Sequence, residues 1–220
     1  MSRSIASLLG LAAALALGGF RNPAEATSFA NINPISLPAS GSEGIANPYP
    51  SMINVSGLSG VIGDINVIVG GLYHTFPDDL DLLLVGPSGH KVILMSDAGG
   101  PHDLINVTIM FDDEAASSLA NGDLLVGGSF RPSNYTGNGG PTDAFPAPAP
   151  AGPYGSLLSI LDGTDPNGEW KLFVFDDQSG DAGRIANGWA IEIATAIPEP
   201  APWILFGAGI IAVFTRRKNR

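Results

Sequence analysis

Cysteine is absent from the 220 residues. No disulfide or thiolate metal site can therefore form, and the fold must rest on its apolar core, helped at most by cations bound through oxygen. Positive charge is nearly as scarce. Lys and Arg number 10 against 21 Asp and Glu, a net charge of −11, and between residues 27 and 197 the only basic side chains are Lys91, Arg131, Lys171 and Arg184. Such a surface repels phosphates, which excludes a nucleic-acid partner and favours solubility and divalent cations. Histidine is limited to His74, His90 and His102, with no pair at the helix or hairpin spacing of zinc ligands. His74 lies near Asp78 and Asp79, but Gly86-Pro87-Ser88-Gly89 reads as a hairpin turn rather than a strained nucleophile elbow. The expectation is a non-enzymatic chain.

Long apolar runs are also missing, apart from one at each end. Residues 1–26 carry Arg3, then an apolar run over residues 5–20, then Ala24-Glu25-Ala26. This is the layout of a secretory signal peptide, with an apolar core shorter than the ~20 residues of a comfortable span; cleavage by signal peptidase is expected after Ala26. At the other end Pro198-Glu199-Pro200 precedes an apolar stretch over residues 203–214 that opens on Trp203 and is followed by Arg216, Arg217, Lys218 and Arg220. An aromatic residue at one edge and a basic cluster at the other are membrane-interface anchors, with the basic edge cytoplasmic. Pro198-Glu199-Pro200, the apolar segment and Arg216-Arg217-Lys218, in that order, resemble the PEP-CTERM sorting signal of Gram-negative bacteria. The resemblance implies a transient transmembrane helix in residues 196–220. It also implies recognition and cleavage near Pro198 by an exosortase, with delivery to the cell surface or extracellular matrix.

What remains is abundant in Gly and Pro, 29 and 18 over the chain, placed as punctuation between short apolar runs. That pattern predicts an all-β sandwich. Strands are expected over residues 52–55, 62–69, 79–85, 91–95, 105–111, 170–175 and 188–193. In the third, Leu80, Leu82 and Leu84 alternate toward the core, with Asp79 and Asp81 on the other face. Residues 27–51 are expected to be a lead-in holding at most one edge strand. Residues 131–154 are expected to be a long loop outside the core, with an extended Pro-Ala-Pro-Ala-Pro run. Trp170 and Trp189 are expected to be core residues on two strands that pair antiparallel.

Three segments carry a second resemblance: Tyr73-His74-Thr75 through Asp79-Leu80-Asp81 to Gly86-Pro87-Ser88-Gly89; Gly168-Glu169-Trp170-Lys171-Leu172; and Asp181-Ala182-Gly183-Arg184-Ile185 with Gly188-Trp189-Ala190-Ile191. In order and spacing they resemble the P domain of subtilisin-like proprotein convertases. This implies a jelly-roll β-sandwich over residues 52–195. The catalytic domain that the module accompanies in that family has no counterpart here, so its convertase role is not implied.

Carboxylates cluster in Gly-rich loops at Asp79 and Asp81, at Asp112 and Asp113, at Asp162 and Asp165, and at Asp176, Asp177 and Asp181. Hard cations take six to eight oxygen ligands of this kind, so calcium is the expected cofactor, against a merely solvated acidic surface. The function expected is an exported structural or binding module. Its alternatives are an accessory module for a secreted serine protease and a glycan-binding sandwich that meets exopolysaccharide through Tyr135, Phe145 and Tyr154.

Overall fold

The computed structural model describes residues 25–39, 41–135 and 143–197. The expected signal helix and transmembrane sorting helix fall outside the described residues. Among the described residues no helix is long and apolar enough to cross a membrane. The strands are β1 (Thr27–Asn31), β2 (Ile35–Ser36), β3 (Gly44–Ile45), β4 (Ser51–Val55), β5 (Val61–His74), β6 (Leu80–Val85), β7 (Lys91–Ser96), β8 (Leu104–Phe111), β9 (Gly128–Phe130), β10 (Ser133–Asn134), β11 (Gly168–Asp176), β12 (Gly183–Ile185) and β13 (Trp189–Ala196). Two short 3-10 turns, Pro77–Asp79 and Leu158–Leu161, complete the regular structure.

These strands form two sheets. The first runs β1–β13–β5–β12–β2, with β8 on the other edge of β5 and β9 beyond it. The second runs β10–β7–β6–β11–β3, with β4 also on β11. The period-2 alternation of each strand sends one row of apolar side chains into a common core. Ile65, Val67 and Val69 of β5 and Ile191 and Ile193 of β13 come from the first sheet, and Leu80, Leu82, Leu84, Trp170, Leu172 and Val174 from the second. The result is all-β, two sheets on one core, as in a β-sandwich.

Trp170 and Trp189 are buried, 0% and 2% exposed, but their strands do not pair. The acidic segment after β11 leaves the second sheet, and the chain re-enters the first through β12 and β13. Trp170 therefore stands in the same sheet as Leu80, Leu82 and Leu84, where β11 pairs with β6, and Trp189 stands in the facing sheet, where β13 pairs with β5. Each indole N–H finds an acceptor: Trp170 Nε1 donates to Pro166 O at 2.9 Å and Trp189 Nε1 to Ser51 Oγ at 3.0 Å. Gly188, just before Trp189, has φ +67, and a Cβ there would collide with Asn31 O, so only glycine lets β1 close over this corner.

Two segments expected to lie off the core take part in it. Residues 27–51 supply β1, which pairs with β13 from Thr27↔Ile193 to Asn31↔Trp189, and the buried side chains of Ile35, Leu37 and Ala46. The Pro-rich segment covers the outer face of the second sheet. There Phe145 joins Leu83, Val85, Ile93 and Phe173 in a second small core, flanked by Tyr49, Tyr154 and Phe175. Tyr49 meets Phe173 edge-on at 5.0 Å, and its hydroxyl donates to Pro146 O at 2.9 Å. The segment is not a uniform extended rod: the Ala147–Pro148 bond is cis, and Ala149 N–H returns to Pro146 O in a turn. This cover explains why β6 reads Leu-Asp-Leu-Leu-Leu-Val and is buried at every position. A strand covered on both faces loses the apolar–polar alternation of a half-exposed one.

Candidate functional site

The four acidic clusters of the sequence merge into two, one at each end of β5. Along that strand Asp64 and His74 are ten residues apart, roughly 30 Å.

At the upper end, where β5 finishes and β6 begins, Asp79, Asp81, Asp176, Asp177 and Asp181 gather, joined by Asp97 and Asp143. Asp176 sits at the last inward position of β11, and its side chain is fully buried. Its Oδ2 is 3.4 Å from Nε2 of the equally buried His74. Neither that nitrogen nor either oxygen of Asp176 meets a partner in hydrogen-bond geometry. His74 Nδ1 accepts the N–H of Phe76 at 3.2 Å, so a proton on the neutral ring belongs on Nε2, toward Asp176. Asp81 leaves β6 on the opposite face and is also buried rather than solvated. Close by, Ser96 Oγ lies 2.8 Å from Asp143 Oδ1 and 3.2 Å from Asp97 Oδ2. One hydroxyl proton cannot serve two carboxylates at once.

So many acids in one place resist ionisation. Burial, and then the charges of Asp177, Asp181, Asp176 and Asp78, push Asp79 up to about 7. Lost hydration in the crowded rim, and then Asp97, Asp176 and Asp143, push Asp177 up to about 6. Burial holds Asp81 well above the usual carboxylate range, against a Ser96 hydrogen bond that pulls it down. Burial also raises Asp176, with His74 opposing. Crowding and burial at the upper end thus raise the pKa of four of its acids, Asp79, Asp81, Asp176 and Asp177.

At the lower end, a cavity of about 380 Å³ is lined by Asp64, Asn66, Asp112, Asp113, Glu114 and Asp162, with Leu158 and Ser159 closing one side. It forms because β8 leaves β5 after the pair Val67↔Phe111, so residues 63–66 of β5 lack a neighbour strand on that side. Asp113 is already engaged: its two oxygens accept the N–H groups of Leu158 at 3.0 Å and Ser159 at 2.8 Å, capping the 3-10 turn. Asp112 Oδ1 accepts the N–H of Glu114 at 2.8 Å. Asp162 is raised by burial and by Asp64 and Asp113. Glu114 is raised by burial and by its contacts with Asp112 and Asp64.

Asp165, expected beside Asp162, belongs to neither end. Its Oδ1 accepts from the backbone and side chain of Asn167, at 2.9 and 2.8 Å, and these bonds lower its pKa. The turn in turn clamps Leu58 through Asn167. Among the described residues no group of three or more His, Asp or Glu side chains is placed to hold a metal ion. Sequence reasoning missed Asp64, Asn66, Asp97 and Asp143, and no local signal marks them, because they reach the clusters only through strand pairing and the Pro-rich cover.

The aromatic side chains expected to serve a glycan are packed. Phe145 is buried, Tyr154 meets it edge-on at 5.5 Å, and Tyr135 packs against the main core with its hydroxyl donating to Leu119 O at 2.6 Å. In the exposed hairpin turn, Ser88 Oγ and His90 Nδ1 are 2.9 Å apart. No family model matches this chain, and no curated protein matches it significantly.

Proposed function

We propose that the chain is an exported, non-enzymatic structural or binding module, a jelly roll of the convertase P-domain kind, released by signal peptidase, sorted by an exosortase and displayed at the surface or in the matrix of a Gram-negative bacterium. The observation that carries this reading is where the first and last strands among the described residues lie. β1 starts at Thr27, directly after Ala26, and β13 finishes at Ala196, two residues before Pro198. Cutting at both sites would remove the two apolar ends and take no residue from either strand. β1 and β13 also pair with each other, Thr27 beside Ile193, so the two cuts lie at the ends of neighbouring strands of one sheet. Calcium is the cofactor of this reading, drawn by an acidic surface with few basic groups to compete. N-terminal sequencing and intact-mass measurement of surface material from an exosortase-bearing host test it. The expected product starts at Thr27 and lacks residues 203–220; a persistent full-length chain in the membrane overturns it.

A further inference from the structure

We propose that the outer face of the first sheet, at the upper end of β5, is a binding site for an uncharged glycan, with Arg184, Asp103 and Ile105 as its contacts and Tyr73 as the platform that holds Arg184. This rests on the binding-module reading above and names a surface and a ligand class for it.

β12 lies between β2 and β5, where Arg184 stands opposite Ser36 and Tyr73. Its neighbour Ile185 is buried in the core and Arg184 is exposed, so Arg184 lies on the outer face. Tyr73 lies there too, between the buried Leu72 and His74. The guanidinium carbon is 4.1 Å from the Tyr73 ring centroid. Stacking fixes the plane of the fork and leaves its edges open to a ligand. On the other side of Tyr73 the ladder of β5 and β8 shifts register. Between the pairs Leu72↔Val107 and His74↔Leu104, Ile105 and Asn106 of β8 face Tyr73 alone. This is a β-bulge, and Asn106 takes φ +57 in it, a conformation that Asn tolerates better than most residues. Ile105 is left 70% exposed. Tyr73, Arg184, Ile105 and Asp103 border a cavity of about 290 Å³, at the small end of the roughly 300–1,000 Å³ typical of ligand sites.

The charges on this cavity select the ligand. Among the described residues neither Arg184 nor Asp103 forms an ion pair, although both border the same space. Lys91 and Lys171, by contrast, are engaged by Ala151 O and by Glu169. A ligand that meets both charges must offer acceptors to one and donors to the other. Sugar hydroxyls do both: a vicinal pair accepts two N–H bonds of the fork, and a further hydroxyl donates to Asp103. Ile105 covers the C–H face of a ring and removes apolar surface from water. The sugar is uncharged because a polyanion would meet the field of the surrounding acids. Asp181 stands among them, bonded to Thr75 on the cavity wall.

Binding of the exported protein to immobilised oligosaccharides tests the assignment, with neutral hexose and N-acetylhexosamine chains beside uronate and sulfated ones. Wild type should be retained by a neutral chain. Arg184→Ala and Asp103→Asn should each weaken that binding by roughly tenfold or more, through lost charge-assisted hydrogen bonds. Arg184→Lys should be weakened as well, since an ammonium keeps the charge without the fork. Ile105→Ser should weaken binding less. Arg131→Ala, at an exposed position outside the cavity, should change nothing. Melting midpoints close to wild type check that each variant is folded. If neutral chains bind and Arg184→Ala and Asp103→Asn leave the affinity unchanged, this site is overturned and the binding-module reading stands. Retention by uronate or sulfated chains alone overturns the uncharged ligand. Retention by no chain overturns the glycan altogether, whereas the export reading is decided separately by the N-terminal sequence.

Discussion

The two ends of β5 hold comparable numbers of carboxylates and treat them in opposite ways. At the upper end Asp79, Asp81 and Asp176 are buried, and desolvation raises the pKa of each. At the lower end they border an open cavity, and two of them are spent on backbone amides. Like charges can be relieved by a proton, by a hydrogen bond or by a cation, and burial decides among these. A proton needs no coordination space and suits the crowded rim. A hydrated cation needs open space, such as the cavity at the lower end offers.

The largest way to test this contrast is to open the upper end. His74→Ala removes the one basic group beside a fully buried carboxylate. Leaving a buried polar group without its neighbour costs about 1–3 kcal/mol, and more where the group is charged, a sizeable share of the ~5–15 kcal/mol that holds a domain folded. A sharp fall in the denaturation midpoint is expected, and partial rescue by Asp176→Asn in the His74→Ala background would trace the loss to the stranded acid. Trp170→Ala gives the scale for apolar loss, about 3–5 kcal/mol from transfer and cavity, in chemical denaturation with no dependence on pH or calcium.

Next comes pH. Asp79 titrates at about 7 and Asp177 at about 6 in the folded chain, against about 3.9 when unfolded. The folded state therefore holds more protons across that interval, and stability falls as pH rises through it. This contribution is fully present below about pH 4 and is lost by about pH 7. Asp165, whose pKa is lowered, acts in the reverse sense, at an exposed turn. A higher melting midpoint at about pH 5 than at about pH 8 is expected, by several degrees. Asp79→Asn should shrink that difference and raise the midpoint on the alkaline side. An unchanged difference would show that the upper acids ionise freely and would erase the contrast between the ends.

The smallest effect concerns the acid that the lower end has already used. Asp113→Ala removes the cap on Leu158 and Ser159, an expected loss of about 0.5–2 kcal/mol in chemical denaturation without calcium. A loss seen only with calcium present would instead make Asp113 a ligand. Tyr135→Phe belongs to the same range, about 0.5–1.5 kcal/mol for its hydroxyl bond to Leu119 O. In the sequence it stood in a loop and promised no effect on stability.

How far the sequence could be read depends on the range of the interaction concerned. Alternation marked Ile65, Val67 and Val69, and the hairpin turn at Gly86-Pro87-Ser88-Gly89 closes as its residues require, with Gly89 N–H on Gly86 O. Both are local. That β6 is buried on both faces was masked, because its second cover is Phe145, supplied by a Pro-rich stretch with no strand period. His74 reads as a strand-end residue until β11 brings Asp176 against it. The acidic clusters were each visible, but not their merging into two, nor the recruitment of Asp64, Asn66, Asp97 and Asp143.

By itself, then, the sequence determined the all-β class, most strand positions and the separation of a strongly acidic middle from two apolar, basic-flanked ends. Composition, period and turn chemistry act within a few residues and need no partner. Only the tertiary structure decided that the two tryptophan strands lie in opposite sheets, which acids are buried and which border a cavity, and that residues 27–51 seal the edge of β13. Strand pairing is chosen among many chemically similar edges, and the burial of a charge depends on side chains that arrive from a hundred residues away.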